Sequence, residues 1–288
     1  EIELRINYMQ NEISFYKGSN IQDLLYYLKT VNNLKIYGGG TSLYETNKEF
    51  TVEIENNSLF LSQCPECCFI DKKERYIDFG SGVSLTKILN LGINKIPSYF
   101  YKAIETVANP LVRNLATVTG NICSEKFYNT LYSPLLAVDA KLEIKDYSET
   151  KLVSLSKLEK IKPGQVISKI RLPIIDWDLE IFERLGPVNE IIDVSASYTF
   201  LAQSEKDILT DLRVAFCGKI KLRSTELENQ LIGSRLPISK RAIENTLEFA
   251  SDLYDKEVSY LEEQNEVIHP MLKSQFINLL KSSLEKLT

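Results

Sequence analysis

Three consecutive glycines, Gly38, Gly39 and Gly40, precede Thr41 and Ser42 in the stretch LKIYGGGTSLY. Two readings are open. Glycines after a strand form a tight turn, or they take positive φ and turn N–H groups inward as a nest for an anion, with the two hydroxyls alongside. The familiar nucleotide loops do not fit. A Walker loop needs Lys after its last glycine, where Thr41 stands, and a Rossmann fingerprint needs a third, spaced glycine opening a long helix, where TSLYETNKEF is a poor helix start. A second polar stretch, RNLATVTGNICS, sets Gly120 among Thr117, Thr119 and Asn121 in a segment too apolar for a surface linker. Those hydroxyl and amide groups are costly to bury without partners. Two such loops in one lobe suit a long cofactor that contains a polyphosphate.

Other residue types narrow the chemistry. The five cysteines are an odd count, and three of them crowd into CPECC at Cys64, Cys67 and Cys68. That is a poor disulfide framework and suits a reducing compartment. Cys64 and Cys67 have metal-ligand spacing, but no second close pair completes a four-cysteine site, so free, partly buried thiols are expected and no metal. The single histidine, His269 in VIHPML, reads as a helix-entry residue, and a multi-histidine metal site is impossible. Arg113 is either a solvated charge or an interior anchor for the loop beside it. Tyr26, Tyr27, Tyr99 and Tyr101 read as core or interface aromatics.

These residues must be positioned by a chain of 288 residues, 44% hydrophobic and 25% charged, with a net charge of -5. That length allows two or three small lobes with cores of their own. The charge and the lack of a Lys/Arg block argue against nucleic acid as the main partner. No apolar run approaches a membrane span, and EIELRINYMQ is too charged for a signal peptide, so a cytoplasmic protein with no membrane partner is expected.

The pattern predicts a helix from Ile21 through Leu24, Leu25 and Leu28, capped by Ser19 or Asn20. Strands are predicted at Leu34–Tyr37, Thr51–Ile54 and Tyr76–Phe79, then a short helix capped by Ser84 and stopped at Gly92. Tyr99 to Ala108 reads as helix, Arg113 to Ser124 as irregular, and SPLLAVDAKLEIKD as a helix leading into a strand. KDYSETKLVS reads as a hairpin turn, and Val166–Leu172 as a strand ending at Pro173. Farther on, Val194, Ala196, Tyr198 and Phe200 alternate with polar residues as in a half-buried strand, and Leu212, Val214 and Phe216 do the same. A helix capped by Ser239 and a last amphipathic helix over Leu272–Leu287 complete an α+β lobe.

Four segments fall in an order that resembles a known family: GGGTSL at 38–43, VRNLATVTGNI at 112–122, PLLAVDAKLEI at 134–144 and GQVISKIRLP at 164–173. Together they resemble the FAD-binding medium subunit of the molybdenum hydroxylases, the xanthine dehydrogenase and carbon monoxide dehydrogenase flavoprotein family. The resemblance covers nearly the whole chain and implies an α+β protein. A bipartite FAD-binding domain of the vanillyl-alcohol-oxidase (PCMH) type would occupy residues 1–176, in two lobes of roughly 1–55 and 56–176. A small α+β domain like that of the CO dehydrogenase flavoprotein would occupy 177–288.

On this resemblance FAD is the cofactor. Gly38, Gly39, Gly40, Thr41, Ser42 and Leu43 would wrap its pyrophosphate, and Thr117, Gly120, Asn121 and Ile122 would form a second clamp. Val107 takes the place of an apolar residue close to the flavin, Ile167 would pack on the adenine, and Arg184 would replace a family Lys near that end. The implied role is electron relay from an iron–sulfur partner through flavin to NAD+ or another acceptor. The implied partners are a molybdopterin-binding large subunit and a [2Fe–2S] small subunit, and no residue of this chain acts as a catalytic acid or base.

Three departures from the family pattern stand out. Thr119 replaces the first Gly of a Gly-Gly pair, which predicts that Thr119→Gly tightens FAD binding. Ser42 replaces a common Asp. The segment after Cys123 lacks the family's Ser-Asp pair, with Thr130 the nearest stand-in for that Asp. Two further readings follow: a structural subunit of such a complex with lost or weakened FAD binding, and a stand-alone flavoenzyme on the same fold.

Overall fold

The computed structural model describes residues 14–44, 54–124, 127–158, 160–188 and 190–288. Its N-terminal part is β1 (Ser14–Tyr16), α1 (Ile21–Thr30), β2 (Lys35–Tyr37) and β3 (Asn57–Phe60). The three strands form a parallel sheet in the order β1-β3-β2. Asn20 caps α1 by accepting the Asp23 N–H at 2.9 Å, and Ile21 N–H donates to Glu66 at 2.9 Å. The apolar stripe of α1 packs Leu24 against Leu59, Leu61, Cys64 and Cys67. The strand expected at 51–54 falls, apart from Ile54, outside the described residues. The sheet is completed instead by β3, which lies past residue 55.

The middle of the chain comprises β4 (Ile70–Lys72), β5 (Tyr76–Gly80), α2 (Leu85–Leu89), α3 (Ser98–Glu105), α4 (Pro110–Leu115), α5 (Val118–Ile122) and α6 (Tyr132–Ala137). It continues with β6 (Lys141–Lys145), β7 (Thr150–Ser154) and β8 (Val166–Pro173). The strands form an antiparallel sheet in the order β4-β5-β8-β6-β7. One face buries Ile77, Phe79, Leu142, Ile170 and Leu172 in the central core with α2, α3 and α6. The other face carries a charge network around Asp78, which accepts from Arg171 Nε at 2.7 Å and Lys169 Nζ at 2.9 Å.

The stretch expected to be irregular, 113–124, contains the second half of α4 and all of α5. Both helices are too short for propensity to announce them, and each is held by its cap. Asn109 accepts the Val112 N–H at 3.0 Å with Pro110 at the first helical position, and Thr117 Oγ1 accepts the Gly120 N–H at 3.0 Å.

The remainder is β9 (Leu179–Leu185), β10 (Ala196–Glu205), β11 (Ile208–Cys217), β12 (Lys221–Leu222), α7 (Thr225–Asn229), α8 (Lys240–Glu262) and α9 (Met271–Glu285). Its strands form an antiparallel sheet in the order β12-β11-β10-β9. Tyr198, Phe200, Val214 and Phe216 pack with Tyr254 and Phe276 of α8 and α9 in a second core. Of the half-buried strands expected here, β10 from Ala196 to Ala202 and β11 from Val214 to Cys217 are buried on both faces, whereas Thr210, Asp211 and Arg213 earlier on β11 are not buried. Leu201, Ala215 and Cys217 join the central core from the other side, and Thr199 pairs its hydroxyl with Ser133 at 3.0 Å. The cause is α6, which packs on β10 and β11 opposite the long helices. Polar positions on that face therefore find partners rather than water.

Further polar contacts tie this part to the middle of the chain. Arg223 donates to the Leu136 carbonyl at 2.8 Å while paired with Glu228 at 3.0 Å. Glu180 accepts the Tyr99 N–H at 3.3 Å and the Ser98 hydroxyl at the start of α3. Ser239 caps α8, and His269 Nδ1 accepts the Met271 N–H at 3.2 Å, the helix-entry role its position suggested.

Candidate cofactor-binding seam

β2 delivers the triple glycine directly against the segment between α4 and α5. A Cβ on Gly39 would stand 1.7 Å from the Leu115 carbonyl oxygen, so only glycine allows this approach. Gly40 has φ +71°, a conformation that side-chain-bearing residues rarely adopt. Gly38 faces Thr117 Oγ1 and the backbone of Gly120. Thr41–Tyr44 then makes a single 3₁₀ turn in which Leu43 N–H donates to the Gly40 carbonyl at 3.2 Å. N–H groups at the opening of such a turn have no acceptor within it. Ser42 beside them is exposed.

The opposing loop is pinned from behind. Leu85 N–H donates to the Ala116 carbonyl at 2.8 Å. Thr119 is buried, and its hydroxyl donates to the Ser81 carbonyl at 2.7 Å while lying 3.2 Å from Thr117 Oγ1. The Thr119 hydroxyl is therefore directed inward, and Gly120 is the exposed residue of the loop. Asn121 Oδ1 accepts the Leu131 N–H at 2.9 Å, which fastens the loop to the segment that carries Thr130. Ile122 is buried in the central core.

Thr130 is buried and accepts from Arg184 Nε at 3.3 Å, while the other guanidinium nitrogens donate to the carbonyls of Gly186 at 3.1 Å and Glu190 at 3.5 Å. All three acceptors are uncharged, and burial presses the Arg184 pKa below the usual arginine value. The structure thus joins Arg184 to Thr130, whereas Ile167 lies on β8 opposite Ile144 in the central core. Val107 is buried, and its carbonyl accepts Arg113 Nη1 at 2.8 Å. The same nitrogen reaches the carbonyls of Glu105 at 3.0 Å and Ala108 at 3.1 Å, so Arg113 anchors the end of α3.

One participant was missed from the sequence. The turn after β5, Gly80-Ser81-Gly82, is wedged between CPECC and α5, and a Cβ on Gly80 or Gly82 would strike the Cys67 or Leu61 carbonyl at 2.2 and 2.4 Å. Its signal was present as another glycine pair following a predicted strand. Cys64 and Cys67 are buried free thiols, and burial pushes Cys67 up to about 12. Among the described residues no group of His, Cys, Asp or Glu is arranged to hold a metal, and no helix is long and apolar enough to cross a membrane.

The donor types of the seam are ones that can receive a diphosphate. The glycine wall is one that added Cβ atoms would block, and turn N–H groups with a hydroxyl stand beside it.

Residues 11–175 match the family described as the FAD binding domain in molybdopterin dehydrogenase. The glyceraldehyde dehydrogenase medium chain of Sulfolobus acidocaldarius is 22% identical over 236 residues, covering 78% of this chain and 83% of that one. The abscisic-aldehyde oxidase of Arabidopsis thaliana is 26% identical over 242 residues, covering 72% of this chain and 18% of that protein. The chain thus matches less than a fifth of the plant enzyme. Among solved structures, a chain of carbon monoxide dehydrogenase from Hydrogenophaga pseudoflava superposes with a TM-score of 0.77 at 15% identity, covering 96% of each chain, and so shares the mixed helix-and-sheet fold. By the match over more than half its length, the chain belongs to the FAD-binding domain family of the molybdopterin dehydrogenases, oxidoreductase components whose cofactor is FAD.

Proposed function

We propose that the chain is the FAD-binding electron-transfer subunit of a molybdenum hydroxylase-like dehydrogenase. It would work with a molybdopterin-binding large subunit and a [2Fe–2S] small subunit, and deliver electrons to NAD+ or another acceptor. The observation that carries this reading is the closure of Gly38–Gly40 onto Leu115–Gly120, two segments about 75 residues apart in sequence. In this reading the first two sheets form a bipartite PCMH-type domain over 1–176, with its first lobe extended to Cys67, and residues 177–288 form the second domain. The core around Phe200 lies wholly within residues 177–288 and supports that division, while Phe182, Leu201, Ala215 and Cys217 pack across it into the central core.

FAD, when bound, supplies the redox chemistry. The chain's residues bind and orient. Backbone N–H groups from Gly39 to Ser42 would receive phosphate oxygens, and Thr117 and Gly120 would close the opposite side, with Asn121 and Ile122 holding that loop in place. Leu43 and Val107 would offer apolar contact, and Ile167 would support the adenine from within β8. Arg184 and Thr130 would meet a polar edge of the cofactor with one cation and one hydroxyl.

The test is the visible spectrum and melting temperature of the purified protein before and after addition of FAD. Flavin absorbance retained through gel filtration, with a raised melting temperature, is expected. A colourless protein that neither retains FAD nor gains stability would instead support a structural subunit. Co-purification with two further subunits is expected, and full turnover by the isolated chain would favour a stand-alone flavoenzyme.

A further inference from the structure

We propose that Thr119 is a positioning residue for the cofactor, setting the spacing of the two loops of the seam through a buried hydroxyl relay. The inference rests on the FAD-binding reading above and concerns a position where the family pattern has glycine.

The relay runs through three residues. Thr119 Oγ1 donates its one proton to the Ser81 carbonyl at 2.7 Å and lies 3.2 Å from Thr117 Oγ1. Thr117 Oγ1 accepts the Gly120 N–H at 3.0 Å and is the first atom that a Cβ on Gly38 would meet, at 2.4 Å. Since the Thr119 proton goes to Ser81, Thr117 is left to supply the proton between the two hydroxyls, which fixes its rotor while its lone pair receives Gly120. The hydroxyl nearest the glycine loop is therefore held in one orientation by a residue one layer behind it.

The backing is rigid. Ser81 N–H donates to the Ser168 carbonyl at 3.0 Å on β8, and Gly82 N–H donates to the Cys67 carbonyl at 2.8 Å. Ser81 Oγ makes no well-formed hydrogen bond, although it lies near enough to the Cys67 thiol to offset part of the upward push of burial. The relay thus connects the central sheet to the seam through the Ser81 carbonyl. A glycine at 119 would have no hydroxyl to make either contact.

The experiment compares Thr119→Val, Thr119→Ser and Thr119→Gly in the full chain, by FAD fluorescence titration well below each variant's melting temperature. The valine variant keeps the branched shape, loses the hydroxyl and is expected to bind FAD about 10-fold more weakly, the effect of one lost hydrogen bond. Serine keeps the hydroxyl and is expected within about twofold of wild type on the same scale. Glycine is expected to bind more weakly than wild type. Wild-type affinity in the valine variant, or tighter binding by the glycine variant, would overturn the proposal. So would variants that melt earlier yet bind FAD equally well, because that pattern marks a purely structural residue. If the valine variant does not fold, the serine and glycine variants decide. Wild-type protein that binds no FAD defeats the functional reading and this inference with it, whereas unchanged binding in the variants defeats this inference alone.

Discussion

The Leu115 carbonyl oxygen occupies the space into which a Cβ on Gly39 would project, with 1.7 Å between the two positions. Backbone therefore meets backbone at the centre of the seam, and no flexible side-chain tip can move aside. Gly39→Ala is expected to force the loops apart at a cost of about 1–3 kcal/mol, the scale of overpacking in a close-fitted site. A lower midpoint in urea unfolding with loss of FAD retention would show it. Unchanged FAD affinity in the alanine variant would mean that the cofactor does not use this seam.

Asp78 is buried between two cations on β8, and its effect on stability depends on pH. Burial pushes its carboxyl up, but the bonds from Arg171 and Lys169 outweigh that push and hold it below the ordinary carboxylate value. A carboxyl lowered by folding contributes stability above its unfolded value of about 3.9, and the contribution is lost as pH falls through the folded value. Asp78→Asn is expected to cost about 2 kcal/mol near neutral pH, as for hydrogen bonds to charged groups. The gap between variant and wild type should narrow as pH drops below about 4. Urea melts across that range give the measurement, and a constant gap would assign the loss to packing alone.

Arg113 gathers the carbonyls of Glu105, Val107 and Ala108 on one nitrogen at the end of α3. The Glu105 carbonyl is one that the helix leaves unsatisfied, those of Val107 and Ala108 follow the helix end, and a cation there also complements the helix dipole. Arg113→Ala is expected to lower stability by about 2 kcal/mol, and Arg113→Lys by less because it keeps the charge. Thermal melts rank the three proteins. Equal melting of the alanine variant and wild type would show that water replaces the guanidinium at no cost.

The residues of the seam were easier to read than their arrangement. Gly38–Gly40, Thr117 and Gly120 could be picked out from residue type and spacing, as could the caps Asn20, Ser84 and Ser239, because each acts on N–H groups two or three positions away. β3, α4 and α5 were not legible. A four-residue strand and helices of five and six residues carry too little periodicity to stand out from their surroundings. Ser81 was passed over because its role belongs to its backbone carbonyl, which every residue type has.

Thr119 and β10 show where local reading stops. As a sequence feature, Thr119 is a side chain in place of a family glycine, and it suggested obstruction. The fold instead directs its hydroxyl to the Ser81 carbonyl. Likewise Ser197 and Thr199 look like the wet side of a strand until α6 covers them.

By itself, the sequence determined the turn chemistry, the helix caps, the apolar faces and the two glycine-bearing loops, since these depend on neighbours within a few residues. The tertiary structure decided that Gly39 meets Leu115, that Arg184 meets Thr130 and that Thr119 faces inward. Those contacts join residues far apart along the chain, and packing of the three cores sets their distances.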